Sequence, residues 1–298
     1  MTSFRLHCVV CDNAVDYFKY LVANYKDMAS SQAQIEVVAH CTDDASVQKV
    51  KEQNLAHRIV AVHLNPDYYV YGNYVDVLNR IKLLFKRHPS LGGSSGHAAG
   101  LNSAFKATGG GKIDIIADTD TVIVYPEWDI FLQKILQTHA IVGTSYEDKG
   151  GASSGSGSIQ TYKSSPNLTW VALSPRFPFH DVDASHRLYR HEPIKTQEQA
   201  ALYGLQVGDK LLCDVGWKIP AFLKKHKASA VVLKHAKPGS PKCKVIKMAN
   251  DYNEEFQLDG APVIVHQRGS RKHPFRTQPL SAPFYDAVEA YLHEIKST

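Results

Sequence analysis

The sequence predicts an α/β fold, with a mostly parallel central sheet flanked by helices and a smaller mixed region in the second half. Three observations support this prediction. Apolar runs of strand length occur at residues 4–10, 35–40 and 58–64. Each run is followed by a segment whose apolar residues recur at helical spacing, an alternation typical of parallel strands with crossover helices. The chain has 298 residues, of which 44% are hydrophobic, and this is enough for a large core.

The first two strand–helix pairs follow from this periodicity. Strand 4–10 precedes a helix that Asp12 or Asn13 can cap. The apolar positions on one face of that helix are Val15, Phe18, Val22 and Tyr25. Strand 35–40 precedes a polar helix that contains Val47 and Val50.

The next predicted elements continue the alternation of strands and helices. Strand 58–64 precedes a helix with one apolar face. That face carries Tyr74, Leu78, Ile81 and Phe85. Residues 92–96 (GGSSG) predict a hinge-like loop, residues 97–106 a helix, and residues 113–117 a short buried strand. Pro126 can open a further helix.

The second half differs in character. Residues 150–157 are rich in Gly and Ser and predict a loop. Shorter strands follow, with a helix that begins near Asp214, a loop at 238–244 and a terminal helix at 281–295. We expect residues 1–298 to form one continuous α/β unit.

Charge is distributed unevenly along the chain. The formal net charge is +5, and basic residues cluster in two late segments. The first segment contains Lys224, Lys225, Lys227, Lys234, Lys237, Lys242, Lys244 and Lys247, and the second contains Arg268, Arg271, Lys272 and Arg276. A solvated basic face is the favoured interpretation of the first segment, and an anionic partner such as a diphosphate or a nucleic acid is the alternative.

The cysteines and the hydropathy of the sequence indicate the cellular compartment in which we expect the protein. The five cysteines are odd in number and lie mostly in apolar runs, which favours buried free thiols in a reducing compartment. No apolar run approaches the ~20 residues of a membrane span, and the first residues do not form a signal peptide. We therefore expect a cytoplasmic protein without a membrane anchor.

Asp118 and Asp120 are the strongest functional signal. They follow the apolar strand 113–117, and carboxylates two residues apart leave the end of a strand on one side. Ligands of parallel α/β sheets bind beyond the carboxyl ends of the strands. Paired carboxylates there suit Mg²⁺ or Mn²⁺, while the alternative is a loop that caps the next helix.

This acidic motif and the segment that precedes it resemble those of a known protein family. Residues 96–104 (GHAAGLNSA), the strand and Asp118-Thr119-Asp120 resemble glycosyltransferases of the GT-A fold, over roughly residues 4–145. The resemblance implies a metal-dependent enzyme that moves a sugar from a nucleotide-sugar donor, by default a UDP sugar, to a glycan or other hydroxyl acceptor. Residues 1–145 would bind the donor and residues 146–298 the acceptor.

The resemblance also implies roles for residues of the first half. Asp118 and Asp120 would bind the metal, Mn²⁺ or Mg²⁺, and the donor. His97 and Asn102, on the helix before the motif, would lie beside the donor. Asp43 or Asp44 would lie near the nucleoside, with helix capping as an equal alternative.

A second match lies at residues 263–270 (VIVHQRGS), a strand that ends in H-x-x-G-S. By resemblance, His266 would be a further metal ligand. Arg268, Arg271 and Lys272 would contact phosphate oxygens, for which a guanidinium provides bidentate hydrogen bonds.

Asp214 is the candidate general base. Inverting members of this fold place an acidic residue at the start of a late helix, where it accepts the proton of the acceptor hydroxyl. The alternative is an N-cap of the helix through Phe222. The clearer pair of acidic residues that inverting members of this fold carry is absent from this sequence. Tyr146, Trp170 and Trp217 could stack on sugars, although core packing is the commoner role of such residues.

Parts of the sequence also match, or can be compared with, three other classes of protein. Residues 118–122 (DTDTV) also match the motif of haloacid-dehalogenase-like phosphatases, in which Asp118 would be the nucleophile, but that motif normally follows the first core strand. Sugar-phosphate nucleotidylyltransferases need a glycine-rich basic loop after the first strand, which this chain lacks. A non-catalytic basic binding module is the third class, and no nucleic-acid partner is expected.

Overall fold

The computed structural model describes residues 3–62, 93–145, 159–161, 166–182, 190–213, 216–237, 239–247, 253–267 and 282–297. The strands of this part are β1 Ser3–Val10, β2 Gln34–Cys41, β3 Arg58–Ala61, β4 Ile113–Ala117, β5 Thr121–Ile123, β6 Ile141–Thr144, β7 Ile159–Thr161, β8 Asn167–Leu173, β9 Arg190–Pro193, β10 Lys210–Cys213, β11 Ala230–Ala236, β12 Asn253–Leu258 and β13 Ala261–Gln267. The helices are α1 Val15–Asp27, α2 Asp44–Glu52, α3 Gly93–Lys106, α4 Trp128–Leu136, α5 Gln197–Tyr203, α6 Ile219–Lys225 and α7 Ala282–Lys296.

One large sheet organises the molecule. Within the described residues it has ten strands, in the order β3-β2-β1-β4-β8-β6-β11-β12-β13-β5. The first four strands are parallel, as are β6 and β11, and the remaining neighbours are antiparallel. Strands β7, β10 and β9 form a separate small sheet. The predicted α/β fold with a mostly parallel centre and a mixed second region is confirmed.

The strands form because both faces of the sheet are covered. On one face Phe4, Leu6 and Cys8 of β1 belong to the same core cluster as Phe18 and Leu21 of α1. Side chains that alternate along a strand point to opposite faces, so a strand buried on both faces is apolar almost throughout. This explains why strand 4–10 is recognisable from its composition alone.

Helix α3 lies on the opposite face, very close to β1. Val9 packs there with Leu101 and Phe105. A Cβ atom added to Gly100 would lie 2.3 Å from Cγ1 of Val9. Glycine at this position therefore permits the approach of α3 to the sheet.

Several predicted boundaries need correction. Helix α3 begins at Gly93, so residues 93–96 are helical and do not form the predicted hinge-like loop. The N-cap of α1 is Ala14, after a 3₁₀ turn at Asp12–Ala14, so neither Asp12 nor Asn13 caps it. The late helix α6 begins at Ile219 with Lys218 as its N-cap, which excludes Asp214 as the cap.

Other predictions fall outside the described residues. These are the helix through residues 74–85, the loop 150–157 and the end of the third strand beyond residue 62. None of the described helices has the length and apolarity that crossing a membrane requires.

Candidate metal centre

The sheet brings Asp118, Asp120 and His266 together. Asp118 directly follows β4, and Asp120 directly precedes β5. Strand β5 pairs antiparallel with β13, with Thr121 opposite His266. The end of β4, the start of β5 and the end of β13 therefore meet at one edge, where a ligand atom of each residue lies within 4.8 Å of the others.

This donor set fits a divalent cation. Two carboxylates and one imidazole combine hard oxygen ligands with a borderline nitrogen ligand, a set suited to Mn²⁺ and acceptable to Mg²⁺. Ligands on opposite sides of such an ion are about 4–5 Å apart, so the observed separation requires little adjustment. Asp120 and His266 are buried, and Asp118 is half-buried.

Hydrogen bonds of the main chain hold the acidic turn in place. The amide of Asp118 donates to the carbonyl of Thr169 in β8 at 2.8 Å. The hydroxyl of Thr121 donates to the carbonyl of Asp118 at 2.7 Å, and the amide of Gln267 donates to the carbonyl of Asp120 at 3.1 Å. The turn is thus fastened to both neighbouring strands.

Glu254 orients His266. Its Oε2 lies 2.7 Å from Nδ1 of His266, and both side chains are buried. The other ring nitrogen, Nε2, therefore faces Asp120 Oδ1 at 3.3 Å. A carboxylate behind a histidine fixes the ring and its tautomer in many metal sites. Sequence reasoning missed Glu254.

The carboxylates also determine the charge of His266. Burial by itself would lower its pKa, but the charges of Asp120 and Glu254 and their hydrogen bonds outweigh burial and raise the pKa to about 10. Without a metal, His266 is therefore protonated at neutral pH. A cation at Nε2 would have to displace a proton.

His97 contacts the cluster from helix α3. Its Nε2 lies 2.7 Å from Oδ1 of Asp118, and a quarter of its side chain is exposed. Asn102, further along the same helix, is buried. The structure thus places His97 against the acidic motif, while donor binding by His97 and Asn102 stays a prediction.

A buried polar chain, also missed from the sequence, connects α3 to the sheet. Ser103 Oγ lies 2.9 Å from Nδ1 of His40, and Nε2 of His40 lies 3.0 Å from Nδ1 of His7. Nε2 of His7 lies 3.0 Å from Oδ1 of Asp114. His7, His40 and Asp114 are all buried. A polar residue inside an apolar strand was the available signal, but only the fold shows that they meet.

Burial has the largest effect on the pKa values of the two histidines in this hydrogen-bonded set. Burial lowers the pKa of His40 to about 3, with smaller contributions from His7 and Arg58. Burial also lowers the pKa of His7, although the hydrogen bond to Asp114 opposes it. Both rings are therefore neutral at physiological pH.

The remaining candidates are dispersed. Asp43 caps α2, because its Oδ1 accepts the amide of Ser46 at 2.7 Å, and Asp44 is the first residue of that helix. Trp170 is fully buried and its indole N–H donates to the hydroxyl of Tyr25, so it packs in the core. Four predicted binding or catalytic residues and one aromatic lie outside the described residues: Asp214, Arg268, Arg271, Lys272 and Tyr146.

No protein-family model and no curated protein sequence matches this chain. Similar solved structures include glucosyl-3-phosphoglycerate synthase from Mycobacterium tuberculosis, crystallised with Mn²⁺, UDP and glucosyl-3-phosphoglycerate, at 12% identity over 49% of this chain and 45% of that chain, TM-score 0.29. The chain thus spans less than half the length of that enzyme. Mouse xyloside xylosyltransferase 1 matches at 11% identity over 78% and 86%, TM-score 0.41. The galactosyltransferase LgtC, with donor and acceptor sugar analogues, matches at 10% identity over 96% and 95%, TM-score 0.39.

Proposed function

We propose that this chain is a metal-dependent glycosyltransferase that moves a sugar from a nucleoside-diphosphate sugar to a hydroxyl acceptor. The observation that carries the proposal is the convergence of Asp118, Asp120 and His266 at the carboxyl edge of the sheet. In open α/β sheets this edge is where nucleotides bind. The Gly/Ala/Asn-bearing helix before the acidic motif is the sequence feature that favours a glycosyltransferase over other users of such a site.

Each residue of the site has a defined task in this proposal. Asp118, Asp120 and His266 would hold Mn²⁺ or Mg²⁺, and Glu254 keeps Nε2 of His266 directed at Asp120. His97 holds one oxygen of Asp118, which leaves the other carboxylate oxygen available to a ligand. The bound cation would supply Lewis-acid stabilisation of the charge that grows on the departing diphosphate.

On the acceptor side, Asp214 would take the proton of the attacking hydroxyl, with inversion at the anomeric carbon. Arg268, Arg271 and Lys272 would add positive charge beside the diphosphate. The support for these four assignments is the sequence resemblance. Asp214→Asn should lower the transfer rate by roughly 10²-fold with little change in donor affinity, as measured by steady-state kinetics. Transfer near the wild-type rate, or a product with the donor's anomeric configuration, would remove Asp214 from the mechanism.

A screen of nucleotide sugars tests the function. With Mn²⁺ present, the wild-type chain should release a nucleoside diphosphate from at least one sugar of the panel. Asp120→Asn should abolish this release, while Asp286→Asn, an exposed carboxylate on α7, should leave it unchanged. Cleavage of simple phosphate esters without release of a nucleoside diphosphate would identify a phosphatase instead.

The phosphatase alternative has little support from the fold. Asp118 follows the fourth described strand of the chain, not the first. The later acidic motif of such phosphatases has only a loose match at Gly208 and Asp209, and Gly208 lies in a turn that does not follow a strand.

A further inference from the structure

A patch of five lysines lies at the carboxyl end of β11 and in the loop that follows this strand. Lys234 and Lys237 are at the end of β11, and Lys242, Lys244 and Lys247 are in the loop 239–247. We call these five residues the lysine patch. All five side chains are exposed. In the part of the chain that the structure describes, no carboxylate forms an ion pair with any of them.

The charge of the patch is not balanced by the surrounding sequence. Residues 215–250 contain nine lysines and neither Asp nor Glu. Ordinary solvated faces intersperse both signs of charge, and an unbalanced region raises the local concentration of anions. The composition therefore points to an anionic partner.

The loop that carries the patch has a fixed backbone. Glu255 is fully buried, and its carboxylate accepts the amides of Lys244, Val245 and Ile246 at 3.0, 2.9 and 3.0 Å. Cys243 is buried too, and its thiol donates to the carbonyl of Lys237 at 3.0 Å. The buried carboxylate of Glu255 thus orders the backbone of the loop, and the exposed lysines extend from this ordered backbone.

The patch lies at the edge of the sheet that holds the metal cluster. Ala236 pairs with Glu255, and Glu255 pairs with Val265, the neighbour of His266. Adjacent strands are about 4.8 Å apart, so the base of the loop is roughly 10 Å from the strand of His266. Successive residues of a strand point to opposite faces, so Glu255 and the loop that it supports lie on the face opposite the side chains of Glu254 and His266. A ligand of both places would therefore be a polymer long enough to pass around this edge of the sheet.

We propose that the lysine patch binds the acceptor, and that this acceptor is a glycan that carries phosphate or carboxylate groups. The inference rests on the proposed glycosyltransferase function. The surface is poorly suited to a lipid bilayer, because Val245 and Ile246, its apolar residues, are buried in the core. It also lacks the aromatic residues on which single-stranded nucleic acids stack, since the segment 239–247 contains none.

Two variants with equal charge test the proposal. The patch variant combines Lys237→Gln, Lys242→Gln, Lys244→Gln and Lys247→Gln. The control variant combines four exposed lysines outside the segment 215–250: Lys19→Gln, Lys26→Gln, Lys51→Gln and Lys134→Gln. A double variant, Lys237→Gln with Lys242→Gln, serves if the patch variant does not fold.

The probes are oligogalacturonate, linear polyphosphate, a neutral maltodextrin of equal length, and vesicles of phosphatidylglycerol and phosphatidylcholine. Binding is measured on the full chain without metal or nucleotide. The wild-type and control proteins should bind at least one of the two anionic polymers. The patch variant should bind it at least about tenfold more weakly, with a shallower salt dependence, because fewer counterions are released. The maltodextrin should bind to none of the proteins.

Three outcomes would overturn the proposal: equal losses in the patch and control variants, no binding of either polymer, or binding to the vesicles alone. The first two would return the patch to a solvated face, and the third would make it a membrane surface. Hydrolysis of nucleotide sugars by the wild-type chain is measured separately. Its absence would refute the proposed function without bearing on the selectivity of the patch for anions.

Discussion

At the scale of single residues, the candidate metal centre includes a carboxylate outside the three candidate ligands Asp118, Asp120 and His266. Glu254 contacts Nδ1 of His266 and thereby leaves Nε2 as the nitrogen that faces Asp120. If the imidazole could rotate, binding a cation would have to order it first. Glu254 removes that cost and adds negative charge behind the ring.

Removal of Glu254 should therefore weaken metal binding. We expect Glu254→Ala to raise the dissociation constant of Mn²⁺ by roughly 10- to 100-fold, as measured by isothermal titration calorimetry. Glu254→Gln retains an oxygen that accepts from Nδ1 and should recover part of the loss. Unchanged Mn²⁺ affinity in a folded Glu254→Ala protein would show that the carboxylate only neutralises a buried charge.

At the scale of elements, the sequence predicted one half of the metal centre better than the other. Asp118 and Asp120 are two residues apart in one tight turn after an apolar strand, so local structure brings them together. His266 lies about 150 residues away, and its proximity depends on how β13 pairs with β5. Only the resemblance to a family suggested it before the structure was known.

The position of Glu254 could not be predicted because a bulge sets it. The turn at Asp259 and Gly260 joins β12 to β13, and Leu258 pairs with Ala261. Regular pairing from that turn would place Glu254 opposite Val265. An irregularity between Phe256 and Gln257 shifts the register by one residue, so that Glu254 lies opposite His266. A shift of one residue reverses which face each side chain occupies, and sequence patterns rarely reveal it.

Helix α3 offers a test of packing at this scale. Gly100→Ala would place a methyl group 2.3 Å from Val9 Cγ1, whereas the nearest atom to the new methyl of Gly96→Ala is 3.6 Å away on Thr42. Both changes improve helix propensity by up to about 1 kcal/mol. We expect Gly96→Ala to preserve or raise the free energy of unfolding and Gly100→Ala to lower it by about 1–3 kcal/mol. Urea denaturation measures both, and equal effects would mean that α3 does not pack as tightly as described.

At the scale of the whole molecule, ligands of the proposed site should stabilise the fold. Mn²⁺ and UDP together would bind only the folded chain, and a ligand at 100 times its dissociation constant adds about 2.7 kcal/mol. We expect the melting temperature to rise by several degrees in differential scanning calorimetry. Asp120→Asn should remove the joint effect and Asp286→Asn should not. A shift retained by the Asp120 variant would place the site elsewhere.

The free energy of unfolding of the protein should also depend on pH, through the hydrogen-bonded side chains of His7 and His40. Their hydrogen bonds join β1, β2, β4 and α3, so protonation of these two rings affects the contact between the sheet and the helix. In the folded protein the pKa of His40 is about 3, and that of His7 is also lowered. Unfolding exposes both rings, whose pKa values return to about 6.5. Below pH 6.5 the unfolded chain thus binds protons that the folded chain does not.

The free energy of unfolding should consequently fall as the pH decreases from 6.5 to 5, by up to about 1.4 kcal/mol per pH unit for His40, and His7 adds a contribution of the same sign. His266 has the opposite sign: its folded pKa of about 10 gives a stabilisation that is complete below pH 6.5 and lost as the pH rises through 10. Because the unfolded ring is only half protonated at pH 6.5, His266 offsets part of the slope near that pH and very little of it near pH 5, and ordinary carboxylates remain largely ionised in this window. Urea denaturation at fixed ionic strength measures the slope, and His40→Asn should reduce it because position 40 no longer titrates. A slope that His40→Asn leaves unaltered would show that the folded protein protonates this ring as readily as the unfolded chain does.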